Sequence, residues 1–528
     1  MREAVTVPDW GRSAAVALAA GVAGVAGSYG AAGFTPAFAV APVESTLSRA
    51  MPGRVITFAI TVLGDLGQKL NLVFATLLVA AAFALVTGLA VAIGRRVDVP
   101  VVPTLGTAAG VWALTAAATV RPVPALGAAA GAAVVVAAAE LAGSSEAVGV
   151  TTEDGNGRRR VVSALGVAAA AATVGTAVGR TQTTDASGGS ATNAGNGGSG
   201  DDSELAFEVE DQVATAEERS YDIDGMDPAI SEGFYQVDIS SVNPNFDTDE
   251  WTLSVTGAVE AEFELTYDDI REMDHEHRFM TLRCVGESLN GHKTDTAIWT
   301  GVPLSTIVEE AAPTGDCGCV MLRSDGDDFY EQFPVDALED GLLAFGMNGR
   351  HLPRGHGAPV RALIPGHWGE INVKWLTEVE FLEAEAEGYW EKRGWHGTGP
   401  VETVAKIHGQ QRREDGQVVV GGHAYAGTRG ISEVEVSLDG GETWETAELT
   451  ERLPGAWGPA AEVGGGNTEY AEDAWRSWRY VYDPPDGAHD VVARAYEADG
   501  TLQPEEERGA FPNGPAGWVE QTIDPSDL

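Results

Sequence analysis

Apolar runs long enough to cross a membrane occupy most of the first 180 residues of this 528-residue chain. A helix needs ~20 predominantly apolar residues to span a bilayer. We predict five such helices, over residues 14–34, 71–93, 101–120, 123–139 and 161–178. Residues 54–70 are also apolar but contain Asp65 and Lys69, which indicates a helix lying at the membrane surface.

Two other interpretations of this half of the chain are weaker. Soluble helices buried on all sides would also be apolar, but five successive runs without charge favour the membrane. A transporter usually carries ionisable residues inside its spans, because these mark the transport path. The predicted spans contain none, and Glu140 lies just beyond the fourth.

Basic residues predict the orientation of the spans. Arg95 and Arg96 follow the second span, and the triplet Arg158–Arg160 precedes the fifth. The positive-inside rule places both groups in the cytoplasm, so the chain after Arg180 lies outside. We therefore predict a multi-pass cell-membrane protein whose second half is extracytoplasmic. The sequence does not decide whether Arg158–Arg160 also serves as a twin-arginine export signal.

The second half of the chain is strongly acidic. Residues 1–200 carry 12 basic and 10 acidic residues, whereas residues 201–528 carry 21 and 68. This charge repels nucleic acid, so no nucleic-acid partner is expected. Aromatic and β-branched residues are spread through the region, which argues against disorder. Few lysines among many carboxylates predict a halophilic protein, because concentrated salt screens the repulsion between them.

Changes in composition divide the chain into four parts. Residues 1–180 form the predicted transmembrane region, and residues 181–219 begin with a Gly/Ser/Thr-rich stretch that predicts a flexible linker. Residues 220–398 alternate strand-like and helical patterns, which predicts an α+β domain. Residues 399–528 contain strand signals at 418–426, 431–438, 478–482 and 489–498, separated by turns. This pattern predicts a β-sandwich.

Three cysteines are present, too few for a disulfide framework. Cys317 and Cys319 are separated only by Gly318, which is too close for an easy disulfide, and we predict that both are loop residues. Cys284 ends the strand-like run 279–284 and enters a Gly-containing turn. Taken alone, such a cysteine is more often a small buried apolar residue than a metal ligand.

Basic side chains gather in two short motifs of the acidic half. One is HGAPVR at residues 356–361, and the other is GHWGEINVKWL at residues 366–376. Local positive charge in a negative domain predicts an anionic ligand such as a phosphate. A set of surface ion pairs explains the same residues equally well.

Several ordered motifs resemble the cofactor domain of the sulfite oxidase family. They are TLRC at 281–284, WTGVPL at 299–304, residues 344–353, HGAPVR at 356–361 and VKWL at 373–376. The match in order and spacing covers residues 231–393. The β-rich C-terminus resembles the immunoglobulin-like dimerisation domain of the same family. The resemblance implies a molybdenum enzyme with a molybdopterin cofactor and a possible homodimer through residues 399–528.

The family's functional residues carry over to individual positions of this chain. By resemblance, Cys284 is the catalytic thiolate ligand of molybdenum, and His356 and Arg361 hold the pterin phosphate. Asp325 is a weaker match, because the loop around it differs. The predicted cofactor-binding residues are Phe234, Tyr235, Gln236, Asp325, His356, Arg361, Asn372, Val373 and Lys374.

Three departures from the family pattern concern the substrate. Sulfite oxidases carry arginines at the positions of Gln236 and Ser288-Leu289, and a tyrosine at the position of Trp395. The groups expected to hold a sulfite dianion are therefore missing. We predict an oxidoreductase acting outside the membrane on a small S- or N-oxide or a sulfur oxyanion. A true sulfite oxidase, or a non-catalytic surface protein that reuses the fold, remains as an alternative.

The electron partner is predicted to be a separate molecule. All ten histidines lie between His275 and His489, so the predicted spans contain none. The sequence also has no Cys-x-x-Cys-His haem-attachment motif. Electrons must therefore be exchanged with a separate electron-transfer protein or with a quinol.

Overall fold

The computed structural model describes residues 9–144, 202–324, 329–463 and 469–528. The chain divides into two units. The helical unit comprises Met1–Met51, Leu63–Gly188 and Asp238–Asn245. The sheet unit comprises Pro52–Val62, Gly189–Val237 and Phe246–Leu528.

Long helices dominate the helical unit. Small residues allow α1 and α6 to approach closely: a Cβ atom at Gly27 would lie 2.3 Å from the carbonyl oxygen of Gly127. Such contacts between small residues are typical of helices that pack within membranes. The described helices of the first 144 residues are α1 (Asp9–Ala32), α2 (Ala41–Ala50), α3 (Gly53–Phe58), α4 (Asp65–Val97), α5 (Val102–Thr119) and α6 (Ala125–Ser144).

Three described helices are long and apolar enough to cross a membrane: Ser13–Ala32, Leu66–Val97 and Ala125–Ala142. They confirm the predicted runs 14–34, 71–93 and 123–139 as helices of this kind. The predicted span 101–120 forms α5, but it is not among these helices, because four threonines and Pro103 dilute its apolar character. The predicted span 161–178 and Arg158–Arg160 lie outside the described residues.

The prediction of one surface helix over residues 54–70 is wrong. Gly64 has a positive φ of 52° and separates two elements. Before it lie α3 and a π-helical turn, Ala59–Leu63, and after it α4 begins at Asp65. A left-handed glycine interrupts helical geometry at this point, so residues 66–70 belong to the long apolar helix.

Glu140 lies inside α6 rather than beyond a span. The apolar stretch continues to Ala142, so this carboxylate falls within a helix of membrane-spanning length. Its Oε2 accepts a hydrogen bond of 2.6 Å from the Thr104 hydroxyl. The expectation that no acidic residue lies within a span is therefore wrong for the fourth span.

A short segment from later in the chain is held in the helical unit by Glu44, which is 1% exposed. Its carboxylate accepts hydrogen bonds from Asn71 (2.8 Å), the Ser240 hydroxyl (2.9 Å), and the backbone and hydroxyl of Ser241 (both 3.1 Å). Several donors stabilise a carboxylate that burial would otherwise disfavour. This network fixes Asp238–Asn245 to the helices.

The first part of the sheet unit contains two sheets. One has the order β2-β1-β10-β5-β6, with β1 and β10 parallel. The other has the order β3-β4-β7-β8, with β9 also paired to β7. The strands of these two sheets are β1 (Thr252–Gly257), β2 (Phe263–Thr266), β3 (Glu276–Arg283), β4 (Thr294–Pro303), β5 (Cys319–Ser324), β6 (Tyr330–Pro334), β7 (Leu342–Met347), β8 (Arg350–His351), β9 (Arg361–Leu363) and β10 (Leu376–Leu382).

Short helices flank these two sheets. Buried residues of both sheets, among them Leu253, Val302, Leu322 and Phe345, share one apolar core. Burial of such a core is the main source of stability for the unit. The helices are α7 (Asp202–Glu218), α8 (Tyr267–Glu272), α9 (Leu304–Ala311) and α10 (Val335–Glu339).

The C-terminal part contains two further sheets, ordered β11-β13-β17-β16 (with β12 paired to β13) and β15-β14-β18-β19. Apolar residues of both pack into one core. The strand signals predicted at 418–426, 431–438, 478–482 and 489–498 correspond to β13, β14, β17 and β18. The elements are β11 (Val404–Ala405), β12 (Gly409–Arg412), β13 (Val418–Tyr425), β14 (Ile431–Ser437), β15 (Glu445–Thr446), β16 (Glu448–Leu449), α11 (Pro459–Val463), β17 (Arg476–Tyr482), β18 (His489–Glu497) and β19 (Val519–Ile523).

The prediction that Cys317 and Cys319 are loop residues without a disulfide is correct for the position of Cys317, which lies in a turn, and wrong for Cys319 and for the disulfide. Cys319 is the first residue of β5 and is buried, and the two sulfurs are bonded. Gly318 has a positive φ of 59°. This turn brings the two Cα atoms to 5.2 Å, within the usual range for a disulfide.

Candidate active site

Cys284 directly follows β3, which pairs with β4 along its whole length. Its backbone N–H donates to the Lys293 carbonyl at 2.9 Å, and its own carbonyl accepts from the Glu287 N–H at 3.3 Å. The thiol is free and partly exposed. Desolvation by the surrounding protein raises the pKa of the Cys284 thiol to about 11. The fold thus holds one reactive sulfur at the end of a rigid strand, where a bound metal ion would offset the cost of forming a thiolate.

The space beside the thiol is lined by apolar groups. A Cβ atom at Gly286 would lie 3.9 Å from the Cys284 sulfur, 3.9 Å from the Trp395 ring and 2.7 Å from the Ile60 side chain. Trp395 is 1% exposed, and its indole N–H has no hydrogen-bond partner within the described residues. Ile60 therefore packs tightly against Gly286, with the Cys284 sulfur and the Trp395 ring next to it.

A buried ion network supports the loop that carries Cys284. Arg283 donates to Glu287 at 2.8 Å, and Lys406 donates to both oxygens of Glu287 at 2.7 Å. Although burial alone raises the pKa of Glu287, the charges of Lys406 and Arg283 lower it below its usual value. Burial lowers the pKa of Lys406 to about 8. Sequence reasoning missed this network, since Lys406 is 119 residues from Glu287.

A second cluster joins aromatic and basic side chains. Phe234 stacks on Tyr235 with ring centroids 5.5 Å apart, and it meets the edges of Trp299 at 5.4 Å and His356 at 5.5 Å. The Arg361 guanidinium lies 5.2 Å from the centre of the Trp299 ring. Four residues predicted from sequence and resemblance are therefore neighbours, and Trp299 is an addition to them.

Backbone carbonyls orient the cations of this cluster. Arg361 donates to the carbonyls of His356 (3.1 Å) and Asn372 (2.9 Å), and Lys374 donates to those of Val237 and Gly355 (both 3.2 Å). Burial, and then the charges of Lys374 and Arg361, lowers the pKa of His356 to about 3. His356 is therefore a neutral hydrogen-bonding ring at pH 7, while Arg361 and Lys374 supply positive charge.

Tyr235 connects this cluster to the thiol. Its backbone N–H donates to the Asp295 carboxylate at 2.6 Å. Burial raises the pKa of its phenol well above the usual value, and the nearby charges of Cys284 and Asp295 act in the same direction while Arg361 opposes them. A Cβ atom at Gly369 would lie 2.9 Å from the Tyr235 phenol oxygen and 3.3 Å from the Arg283 carbonyl oxygen, so the phenol lies near the end of β3 that precedes Cys284.

The remaining predicted residues are placed differently. Asn372 and Val373 are buried, and the Asn372 amide binds the backbone of Ile364 (2.7 Å) and Trp368 (3.0 Å). The Asn372 side chain therefore orders the surrounding backbone, and the cofactor contact of Asn372 and Val373 stays a prediction. Gln236 is exposed and lies against Gly355. Asp325 lies outside the described residues.

Three carboxylates form a cluster that sequence reasoning missed. Glu331 is 0% exposed, and Glu370 is 8% exposed. Both carboxylate oxygens of Glu370 are buried without a hydrogen-bond partner within the described residues. Burial, and then the charge of Glu391, raises the pKa of Glu370 to about 8. Burial also raises the pKa of Glu331, with Glu391 adding to the effect.

This cluster predicts a pH-dependent stability. Because the Glu370 pKa rises from 4.5 in the unfolded chain to about 8, the folded protein binds the proton more tightly. The stabilisation is present below pH 4.5 and is lost as the pH rises through 8. Glutamine cannot ionise. We therefore expect the free energy of unfolding of Glu370→Gln to fall less than that of the wild type as the pH rises, by more than ~1.4 kcal/mol, the equivalent of one pKa unit.

The measurement is the melting temperature of the full chain in detergent between pH 5 and 8. Wild-type protein should lose stability across this range, and the Glu370→Gln curve should be flatter. The exposed Glu383→Gln variant, a matched loss of one carboxylate, should follow the wild type. Parallel curves for wild type and Glu370→Gln would contradict a protonated Glu370.

Comparison with known proteins agrees with this geometry. Residues 240–390 match the family model of the oxidoreductase molybdopterin binding domain, and residues 401–510 match that of the Mo-co oxidoreductase dimerisation domain. The first match contains Cys284, Arg361, Glu331 and Glu370, and it ends one residue before Glu391. The second match contains Lys406, so the ion network joins residues from both matched regions.

Curated relatives include sulfite oxidases and nitrate reductases. The chain is 29% identical over 314 residues to mitochondrial sulfite oxidase of Homo sapiens, covering 50% of this chain and 55% of that protein. It is 24% identical over 328 residues to the NADH nitrate reductase of Spinacia oleracea, covering 50% of this chain and 34% of that protein. The chain thus spans about half the length, or less, of these relatives.

Among solved structures, the sulfane dehydrogenase SoxCD from Paracoccus pantotrophus covers 54% of this chain and 78% of that chain. Its TM-score against this chain is 0.44, at 19% sequence identity. The sequence matches support an oxidoreductase over a non-catalytic surface protein.

Proposed function

The chain belongs to the sulfite oxidase family of molybdopterin-dependent oxidoreductases, and from this premise we propose that it is a membrane-anchored enzyme acting on a small, uncharged S- or N-oxide. The observation that carries the substrate proposal is the lining beside the Cys284 sulfur. Trp395 and Ile60 flank it, and the indole N–H is a buried donor without a partner within the described residues.

The residues of the site fit the cofactor. A partly exposed thiol suits a soft metal ligand. The phosphate of a pterin needs cations and N–H donors, and Arg361, Lys374 and neutral His356 lie together. Phe234 and Tyr235 would pack beside the pterin. When bound, the molybdenum centre supplies the two-electron chemistry of the reaction.

Side chains of this protein would assist the reaction in two ways. The Trp395 ring, whose Cη2 atom faces the region beside the thiol, and Ile60 would exclude water from it. A carboxyl group such as Glu370, whose pKa burial raises to about 8, would hold a proton near pH 7. Reduction of an S- or N-oxide consumes protons, so a protonated carboxyl close to the thiol fits this direction.

A sulfite dianion fits the site less well. The three departures Gln236, Ser288-Leu289 and Trp395 remove the groups that the family resemblance would place around a dianion. The cluster of Glu370, Glu391 and Glu331 supplies no positive charge that would hold a dianion. A true sulfite oxidase remains the second candidate, since the identity to the human sulfite oxidase reaches 29%.

The location and partners complete the proposal. Helices Ser13–Ala32, Leu66–Val97 and Ala125–Ala142 would anchor the enzyme, and the basic residues after the second helix would face the cytoplasm. The catalytic domain, proposed as residues 220–398, would then be extracytoplasmic. Residues 399–528 would form an immunoglobulin-like domain and a homodimer contact, since residues 401–510 match a dimerisation domain. A separate protein or a quinol would exchange electrons with the enzyme.

The substrate preference has a direct test. We expect kcat/KM for sulfite to be at least ~100-fold below that for the best S- or N-oxide, because each missing charge-assisted contact costs ~1.5–3 kcal/mol. The assay uses the full chain, loaded with molybdenum in a cofactor-competent host, and an artificial electron carrier. Methionine sulfoxide and trimethylamine N-oxide are the comparison substrates.

A gain-of-function variant provides the control. Gln236→Arg should improve sulfite turnover roughly tenfold, since one charge-assisted contact is worth at least ~1.4 kcal/mol, while leaving uncharged oxides little changed. Efficient sulfite oxidation by the wild type would favour the second candidate. Pure protein from the same host that contains no molybdenum would refute the enzyme itself.

A further inference from the structure

Helix α7 and strand β3 bring one carboxylate and two imidazoles together, away from the cofactor site. Glu208 Oε2 lies 3.6 Å from His275 Nε2 and 3.5 Å from His277 Nε2. All three potential ligand atoms are within 4.8 Å of one another. His277 is the second residue of β3, and His275 lies immediately before this strand; both rings face Glu208.

These separations suit a metal ion. Nitrogen and oxygen ligands lie ~2.0–2.2 Å from Zn²⁺ in tetrahedral sites, which places neighbouring ligand atoms ~3.4 Å apart. The carboxylate-to-imidazole distances of 3.5 and 3.6 Å are close to this spacing. They are also too long for good hydrogen bonds, so the three groups do not satisfy one another directly.

Two of the ligand atoms are buried without a partner. Glu208 Oε2 and His275 Nε2 are inaccessible to solvent and have no hydrogen-bond partner within the described residues. A buried polar atom left unpaired costs ~1–3 kcal/mol. A cation at the centre of the three groups would satisfy both atoms at once.

Surrounding groups orient the ligands. His277 is 2% exposed, and its Nδ1 is 2.9 Å from the buried Thr300 hydroxyl. An Nδ1–H bonded to Thr300 leaves Nε2 as the lone-pair donor, which is the usual arrangement around a metal-binding histidine. Trp457 stacks on His277 at 5.2 Å and donates its indole N–H to the Glu208 carbonyl at 3.0 Å.

We propose that Glu208, His275 and His277 bind a divalent first-row transition-metal ion, with Zn²⁺ as the simplest occupant and water as the fourth ligand. Two imidazoles and one carboxylate are ligands that Zn²⁺ accepts. The ion joins α7 to β3. It therefore fixes α7, which is the first described helix after residue 201, to the sheet. His277 is seven residues from Cys284, or roughly 23 Å along an extended strand, so this site is separate from the proposed molybdenum site.

The test is a titration of the full chain, stripped with a chelator, with Zn²⁺ alone. We expect one equivalent bound per chain, and an affinity at least ~100-fold weaker in Glu208→Gln and in His275→Gln, since loss of a direct ligand costs more than loss of a supporting group. Glu210→Gln, an exposed carboxylate on the same helix, is the matched control and should bind like the wild type. Co²⁺ should give the absorption bands of a four-coordinate ion.

Two further measurements test whether Zn²⁺ binds at the Cys284 thiol instead, and whether a variant loses Zn²⁺ binding only because it misfolds. Cys284→Ser must retain the Zn²⁺ site, and Zn²⁺ must slow hydrogen exchange of α7 amides in the wild type but not in His275→Gln. Because none of these readouts depends on turnover, the result is independent of the proposed function. No stoichiometric binding, or equal affinity in the wild type and Glu208→Gln, would overturn the proposal.

Discussion

Cys284→Ser is expected to abolish turnover in the proposed enzyme, which means a decrease in kcat of more than ~100-fold. Loss of a group that supports a metal ligand lowers metal affinity or activity by ~10–100-fold, and loss of a direct ligand lowers them further. A hydroxyl is also a far poorer soft ligand for molybdenum than a thiolate. The substitution is nearly isosteric, and the backbone bonds of residue 284 to Lys293 and Glu287 do not involve the sulfur. The fold should therefore survive.

The measurements are steady-state turnover with an artificial electron carrier, molybdenum content and melting temperature. Cys317→Ser combined with Cys319→Ser is the matched control, because these residues lie at the start of β5 in the other sheet. That double variant should keep its activity. Turnover by Cys284→Ser at the wild-type rate would show that the thiol is not the ligand.

Lys406→Met should have the largest effect on stability. It removes one cation from the buried network and leaves Arg283 as the remaining ion-pair partner of the Glu287 carboxylate within the described residues. Breaking a buried ion pair from one side costs roughly 3–5 kcal/mol, because the surviving charge stays out of water. A decrease in melting temperature on the order of 10 °C is expected for a domain of this size.

Thermal unfolding of the full chain in detergent checks this expectation, with Lys392→Met as the control. Lys392 is exposed and donates to the Tyr330 hydroxyl at 2.9 Å, so its loss should change stability by less than ~1 kcal/mol. Glu287→Gln in the Lys406→Met background should recover part of the stability, since it removes the orphaned charge. A melting temperature of Lys406→Met equal to that of the wild type would contradict a buried charged pair.

Local patterns predicted those parts of the fold that depend on near neighbours. Alternating apolar residues and turn signals placed four strands of the C-terminal part within two residues of their ends, as β13 illustrates. The strand that precedes Cys284 was predicted in the same way. The clustering of His356, Arg361 and Lys374 followed from their short separation in the sequence.

Long-range contacts escaped prediction for a physical reason. Lys406 meets Glu287 only because strands β3, β4 and β13 are already packed, and no local pattern encodes that pairing. Glu331, Glu370 and Glu391 look like ordinary acidic residues in an acidic chain until the fold buries them. Asn372 and Val373 matched a family motif, and their contact with the cofactor stays a prediction.

The segment Pro52–Val62 lies between α2 and α4 along the chain, yet it packs into the sheet unit, where Ile60 approaches Gly286 beside Cys284. Cleavage of the backbone within residues 181–219 would therefore leave Pro52–Val62, a part of the sheet unit, covalently attached to the helices. A soluble fragment beginning at residue 201 would lack Ile60 and would admit water to the space beside the thiol.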